Sequence, residues 1–235
     1  MKTNELPDSI FPDFEAFLNS YVTEHKRSLF KKILADRTRY LTVVLENLFQ
    51  PHNASAVLRS CDCFGIQDVH IIENKQEFEI TRGITMGAHK WLDLEYYNKE
   101  DANNTELCFN GLRNKGYKIA ATSPHKEDFS ISELPLNQKT ALVFGTEKDG
   151  LSEYALENAD YHVRIPMYGF SESFNISVSA ALVLYELTKR LRESDLPWNL
   201  NENEQYLTYI EWMRRSLKYK ESLENHFFTQ HNLQV

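Results

Sequence analysis

Short apolar, β-branched runs alternate with amphipathic segments of helical period along most of this chain. That alternation constrains the fold more than any other feature. Residues 41–45 suit a buried strand, and Pro51-His52-Asn53-Ala54 turns into a helix that ends near Gly65. Strand-like runs follow at 68–72, 92–97, 117–122, 141–144 and 161–165. Helical stretches fall at 101–115, from Ser152, and at 176–192, while residues 80–90 form a loop or short helix. Strands that alternate with helices predict an α/β domain, a mainly parallel sheet with helices on both faces. Residues 13–34 predict one amphipathic helix capped by Asp13, and residues 203–228 predict another after the break at Pro197-Trp198-Asn199. The expected organisation is a helical extension over 1–37, a central domain over 38–193 and a second helical extension over 194–235.

The length and the 42% hydrophobic content are enough for one substantial core. No apolar run approaches the roughly 20 residues that span a bilayer. The first twelve residues lack a basic stretch followed by an apolar one, so the expected location is cytoplasmic. Cys61, Cys63 and Cys108 make neither a disulfide framework nor a zinc pattern. The histidines are scattered without metal-ligand spacing, and no metal site is expected. The dinucleotide glycine fingerprint, the phosphate-cradling loop and the serine-hydrolase elbow are all missing.

Parallel α/β sheets bind ligands beyond the carboxyl ends of their strands. Three such ends carry polar residues that a core would not choose. The first is Asn53 followed six residues later by Arg59. The second is Gly145-Thr146-Glu147, where a glycine lets a ligand approach the backbone and a carboxylate follows it. The third runs from Ile165 through Met167 to Ser173-Phe174-Asn175-Ile176-Ser177, apolar enough to enclose an adenine and ending in three polar residues at a helix start. Capping alone accounts for one of those three.

In this order and at these separations, over residues 38–193, the segments resemble the motifs of the SpoU/TrmH family of RNA ribose methyltransferases, within the SPOUT superfamily. The resemblance implies S-adenosylmethionine as cofactor, a C-terminal trefoil knot, and a homodimer with its active site at the subunit interface. The knot could not have been derived from periodicity, since true knots are essentially absent among folds at large. The resemblance also assigns roles. Thr122, Gly145, Ile165, Met167 and Phe174 hold the cofactor. Arg59 activates the ribose 2′-hydroxyl, either as proton acceptor or as a charged group that steadies the developing alkoxide. Asn53 orients Arg59 or the ribose, while Glu147, Ser173 and Asn175 form the polar wall.

Within the family the chain is most similar to tRNA enzymes that methylate the D-loop guanosine 18. Those enzymes carry short helical extensions instead of a separate RNA-binding domain. An rRNA ribose methyltransferase is the alternative, and a non-catalytic RNA-binding protein of the same fold a lesser one. The net charge of −8 requires RNA contacts to cluster locally. Arg27, Lys31 and Arg39 near the N-terminus, with Arg214, Arg215 and Lys218 near the C-terminus, are the candidates.

Overall fold

The computed structural model describes residues 3, 6–48, 50–75, 78–123 and 128–231. They fall into two compact units, Thr38–Trp198 and a second formed by Met1–Arg37 with Asn199–Val235.

The helical unit begins with α1 (Phe11–Asn19) and α2 (Glu24–Leu34), where one helix was expected. The separation is local chemistry. Ser20 Oγ donates to the Phe17 carbonyl at 2.6 Å, competing with the helical ladder, and Thr23 accepts from the Lys26 amide as the cap of α2. Asp13 is not the first cap, because that position is Ile10, with Pro12 inside the first turn. Phe14 and Leu18 of α1 and Phe30 and Leu34 of α2 are buried.

The second unit opens with β1 (Leu41–Glu46), followed by α3 (Pro51–Cys63) and β2 (Asp68–Ile72). Next come the single-turn α4 (Arg82–Thr85), β3 (Asp93–Tyr97), α5 (Asn104–Asn114), β4 (Lys118–Thr122) and β5 (Phe129–Ser130). The unit ends with β6 (Thr140–Phe144), α6 (Glu153–Glu157), β7 (Tyr161–Arg164) and α7 (Ile176–Arg192). All strand pairings are parallel, in the order β3-β2-β1-β6-β4-β7-β5. The two-residue β5 was not anticipated; it is too short to show a period.

Central strands of a parallel sheet are covered on both faces, so they read as continuous apolar runs. Every residue of β1 and β6 is buried. Their side chains divide by alternation into two cores. Leu41, Val43 and Leu45 pack with α3 and α7, including Val57, Leu58, Val183 and Leu187. Val44, Ala141 and Val143 pack with α5 and α6, including Phe109, Leu112 and Ala155. Helices therefore flank both faces, as the alternation predicted. Cys61 and Cys108 are buried and Cys63 exposed, all with free thiols.

After Trp198 the chain returns to the helical unit with α8 (Glu202–Ser216) and α9 (Lys220–Gln230). A single helix was expected here too. Leu217 leaves the helical region at φ −73° and ψ 135°, which ends α8. Its start is firmer than the sequence suggested, since Asn201 and Glu204 form a reciprocal capping box. No helix among the described residues is long and apolar enough to cross a membrane.

Candidate active site

The carboxyl ends of β4, β6 and β7 open into a cavity of about 340 Å³, within the range of small-molecule pockets. Thr122 closes β4 and lines it, its hydroxyl donating to the Val143 carbonyl at 2.8 Å. Gly145 follows β6 and lines it as well. Ile165, Met167 and Phe174 come from the segment between β7 and α7. All five residues expected to hold a cofactor thus border one space. The walls mix apolar side chains, such as Leu156, Val163 and Ile165, with the polar Thr146, Glu147 and Ser173.

Gly145 is there for a steric reason. The chain doubles back after β6, Thr146 and Gly150 exchanging two backbone hydrogen bonds of 3.0 Å. A Cβ at position 145 would lie inside the carbonyl of Gly150 and 2.5 Å from the Leu151 nitrogen. Gly150 itself turns through φ +68°, where side chains are disfavoured.

Glu147, at the tip of this turn, is where the three sequence segments meet. Its Oε1 accepts from Asn53 Nδ2 and, at 2.9 Å, from Asn175 Nδ2. The Asn175 amide also donates to Asn53 Oδ1 at 3.2 Å, and the Asn53 amide to Gln50 Oε1 at 2.8 Å. Asn175 serves twice, since its Oδ1 caps α7 by accepting from the Ser177 amide at 2.9 Å and the Ser177 hydroxyl at 2.5 Å. Asn53 is not an N-cap; it is the third residue of α3, and the cap position is Gln50. Residues from α3, the β6–α6 turn and the start of α7 therefore form one hydrogen-bonded node at the cavity's edge, exposed enough to meet a substrate. Ser173 borders the cavity with Glu147.

Arg59 is not part of that node. It is exposed on α3, six residues or about 9 Å of helix axis beyond Asn53. It lies on the outward stripe with His52 and Cys63, all three exposed. Among the described residues it has no hydrogen-bond or ion-pair partner.

The cations expected to meet RNA separate into two groups. Arg39 precedes β1, at the end of the sheet opposite the cavity, and its guanidinium is held by Asp68 and Asp93 at 2.9 and 2.8 Å. Arg214 is 2% exposed within the helical unit. Burial opposes its charge, but hydrogen bonds and attraction from Glu224 and Glu211 raise its pKa above the ordinary value. Carboxylates hold both guanidiniums, distant in sequence for Arg39 and three and ten positions away for Arg214. Arg215 is paired with Glu211 at 2.8 Å. Lys31 and Lys218 are exposed and Arg27 half-buried.

Sequence reasoning missed several residues around the cavity. Lys148, Asp149, Arg164 and Glu172 line it, each adjacent to or within a motif already noticed. The charge of Lys148 and Asp149 at a strand-end turn was the available signal.

A model of the SpoU rRNA methylase family matches residues 40–185. The chain belongs to this family. Among related proteins of the SpoU methylase kind, a tRNA (guanosine(18)-2′-O)-methyltransferase from Borreliella burgdorferi is 39% identical over 208 residues, spanning 88% of this chain and 93% of the relative. One of the same name from Thermus thermophilus is 34% identical over 174 residues, or 74% and 87% of the two chains. The crystal structure of a TrmH/SpoU tRNA modifying enzyme from A. aeolicus has a TM-score of 0.73 at 30% identity. The match covers 83% of this SpoU methylase chain and 98% of that one.

Proposed function

We propose that this chain is an S-adenosylmethionine-dependent RNA ribose 2′-O-methyltransferase acting on guanosine 18 of tRNA. The observation that carries the reading is the junction of Asn53, Glu147 and Asn175 beside a cavity at three strand ends. Relatives named for methylation of guanosine 18 in tRNA, at 39% and 34% identity, support the substrate.

The cavity suits the cofactor on its own chemistry. It offers apolar side chains for an adenine, with hydroxyls and strand-end backbone for polar contacts. Thr122, Gly145, Ile165, Met167 and Phe174 would hold it. When bound, it supplies a methyl group on a sulfonium centre, with a neutral thioether as leaving group. Such a transfer depends chiefly on how the ribose oxygen is placed. Asn53 and Asn175, each fixed through Glu147, orient the ribose. Arg59 polarises the 2′-hydroxyl with its guanidinium and steadies the oxygen as its proton leaves to water. Ser173 completes the polar wall.

The same reading includes a trefoil knot in the C-terminal half of the domain, a division near residues 37 and 194, and a cytoplasmic site of work. It also includes a homodimer. Val178, Leu182 and Tyr185 form an exposed apolar stripe along α7, continuous in sequence with the exposed Phe174, and a second copy would cover it. Arg27, Lys31, Arg215 and Lys218 of the helical unit would contact tRNA phosphates.

The test is to incubate the protein with labelled cofactor and separate pools of unmodified tRNA and rRNA, then map the methylated nucleotide. Label at guanosine 18 of tRNA is expected; label in rRNA alone, or in neither pool, overturns the reading. Arg59→Ala should abolish transfer and leave cofactor affinity unchanged. Retained activity would remove Arg59 from the chemistry.

A further inference from the structure

Glu46 ends β1 with a carboxyl side chain only 1% exposed, beneath the candidate active site. An apolar residue at such a position would continue the run from Leu41 to Leu45. A buried polar side chain is costly unless its bonds are satisfied, and these are. Its Oε2 accepts from the Ser152 amide at 2.8 Å. Its Oε1 accepts from the hydroxyls of Ser152 at 2.8 Å and Thr105 at 2.5 Å.

These partners define what Glu46 holds. Ser152 ends the turn that carries Glu147, and its hydroxyl caps α6 by accepting from the Ala155 amide at 3.1 Å. Thr105 begins α5 and accepts from Asn74 Nδ2 at 2.9 Å, just beyond β2. The Asn74 backbone N–H donates to Asn47 Oδ1 at 2.9 Å, and Asn47 adopts a left-handed φ of 54° at the start of the segment leading to Asn53. A single hydrogen-bonded network, buried at Glu46, Asn47 and Thr105 and open at Asn74, therefore joins the ends of β1 and β2, the start of α5 and the far end of the Glu147 turn. The near end of that turn is fixed by the Thr146–Gly150 bridge. Beside the packing of Leu151 in one core with Val44 of β1, Glu46 makes the side-chain hydrogen bonds among the described residues that tie its far end to the strand that delivers Asn53.

We propose that Glu46 is a positioning residue for methyl transfer: it sets the Glu147 turn relative to α3, and so the node that orients the ribose. It touches neither substrate nor cofactor and acts through Ser152. The proposal rests on the methyltransferase reading, but its mechanical part can be measured separately.

The experiment compares Glu46→Gln, Glu147→Gln and the double variant in the full chain, with Ser152→Ala as a second way to loosen the same contact. Amide hydrogen exchange, cofactor affinity, kcat and KM for tRNA are read for each, below the unfolding transition. Residues that act as a unit show non-additive losses. Glu46→Gln should lower kcat by about tenfold with tRNA KM changed by less than about threefold, and the double variant should be no slower than Glu147→Gln alone. Exchange across residues 145–152 should quicken in Glu46→Gln and in Ser152→Ala while the sheet stays protected. Losses that multiply, or unchanged kcat in Glu46→Gln, overturn the proposal. So does unchanged exchange at 145–152, a result that needs no activity. An inactive wild-type protein whose 145–152 exchange still responds would instead sink the methyltransferase reading and leave the anchoring intact.

Discussion

Gly145→Ala isolates the steric demand at the cavity's rim. The added methyl would lie inside the Gly150 carbonyl and 2.5 Å from the Leu151 nitrogen, where ordinary contact requires about 3.5 Å. Both obstacles are backbone, so no side chain can rotate away. Relief requires the strand end and the 150–151 segment to separate by about 1 Å, and that movement opposes the reciprocal Thr146–Gly150 pair of hydrogen bonds. Losing two such bonds at about 1 kcal/mol each, with some residual crowding, gives about 2–3 kcal/mol. If bound cofactor requires the closed turn, about 2 kcal/mol appears as roughly thirtyfold weaker binding. Urea denaturation reports the stability, and calorimetric titration with S-adenosylhomocysteine reports the affinity. Gly169→Ala is the control, because a Cβ there meets nothing within 4 Å and its φ is not left-handed. If Gly145→Ala matches wild type in stability and binds within threefold of it, the steric argument is wrong.

Two further predictions concern positions away from the cavity. Burial, opposed in part by Glu95 and reinforced by Lys115, lowers the His70 pKa from its ordinary 6.5 to about 4. A histidine depressed on folding supports the native state fully above pH 6.5 and loses that support as pH falls toward 4. The loss between pH 7 and 5 amounts to about 2 kcal/mol, and a His70→Gln variant should lack that part of the slope in urea titrations; parallel wild-type and variant slopes refute it. Arg214→Met leaves Glu224 and Glu211 without their buried partner and should cost about 3–5 kcal/mol, partly recovered by adding Glu224→Gln. A single variant as stable as wild type in urea would show that the pair contributes nothing.

The parallel sheet and its paired helical layers were legible because β1 and β6 are apolar on both faces and α7 keeps its period for seventeen residues. The helix breaks at Ser20–Thr23 and after Ser216 were not. Each is decided by a short contact or one extended residue inside an otherwise unbroken apolar stripe. At the site, residue types at strand ends identified Asn53, Gly145, Glu147 and Asn175, but which bonds to which depends on strand order. β6 lies beside β1, although ninety-odd residues separate Asn53 from Glu147. Arg214 looked like a surface cation although its partners Glu211 and Glu224 are close in sequence; what sequence does not show is that Arg214 and Glu224 are buried together. Glu46 did leave a trace, as a charged residue closing an apolar strand, and its meaning lay in Ser152, over a hundred positions later.

The proposed mechanism asks one arginine, Arg59, to stay without a carboxylate in an acidic chain. The sequence holds 34 acidic residues against 26 lysines and arginines, so carboxylates are available to arginines on folding. Arg39, Arg113, Arg214 and Arg215 each meet one. Arg59 meets none among the described residues. Glu147 instead accepts from two neutral amides, which fixes both asparagines without neutralising Arg59. An ion pair with Glu147 would have satisfied the guanidinium and weakened it toward any outside anion. In the proposed mechanism, giving the carboxylate to the asparagines leaves the guanidinium of Arg59 to the phosphates and the developing alkoxide of a ribose. The division in that mechanism is chemical: Glu147 holds the two asparagines, and Arg59 is left to meet the substrate.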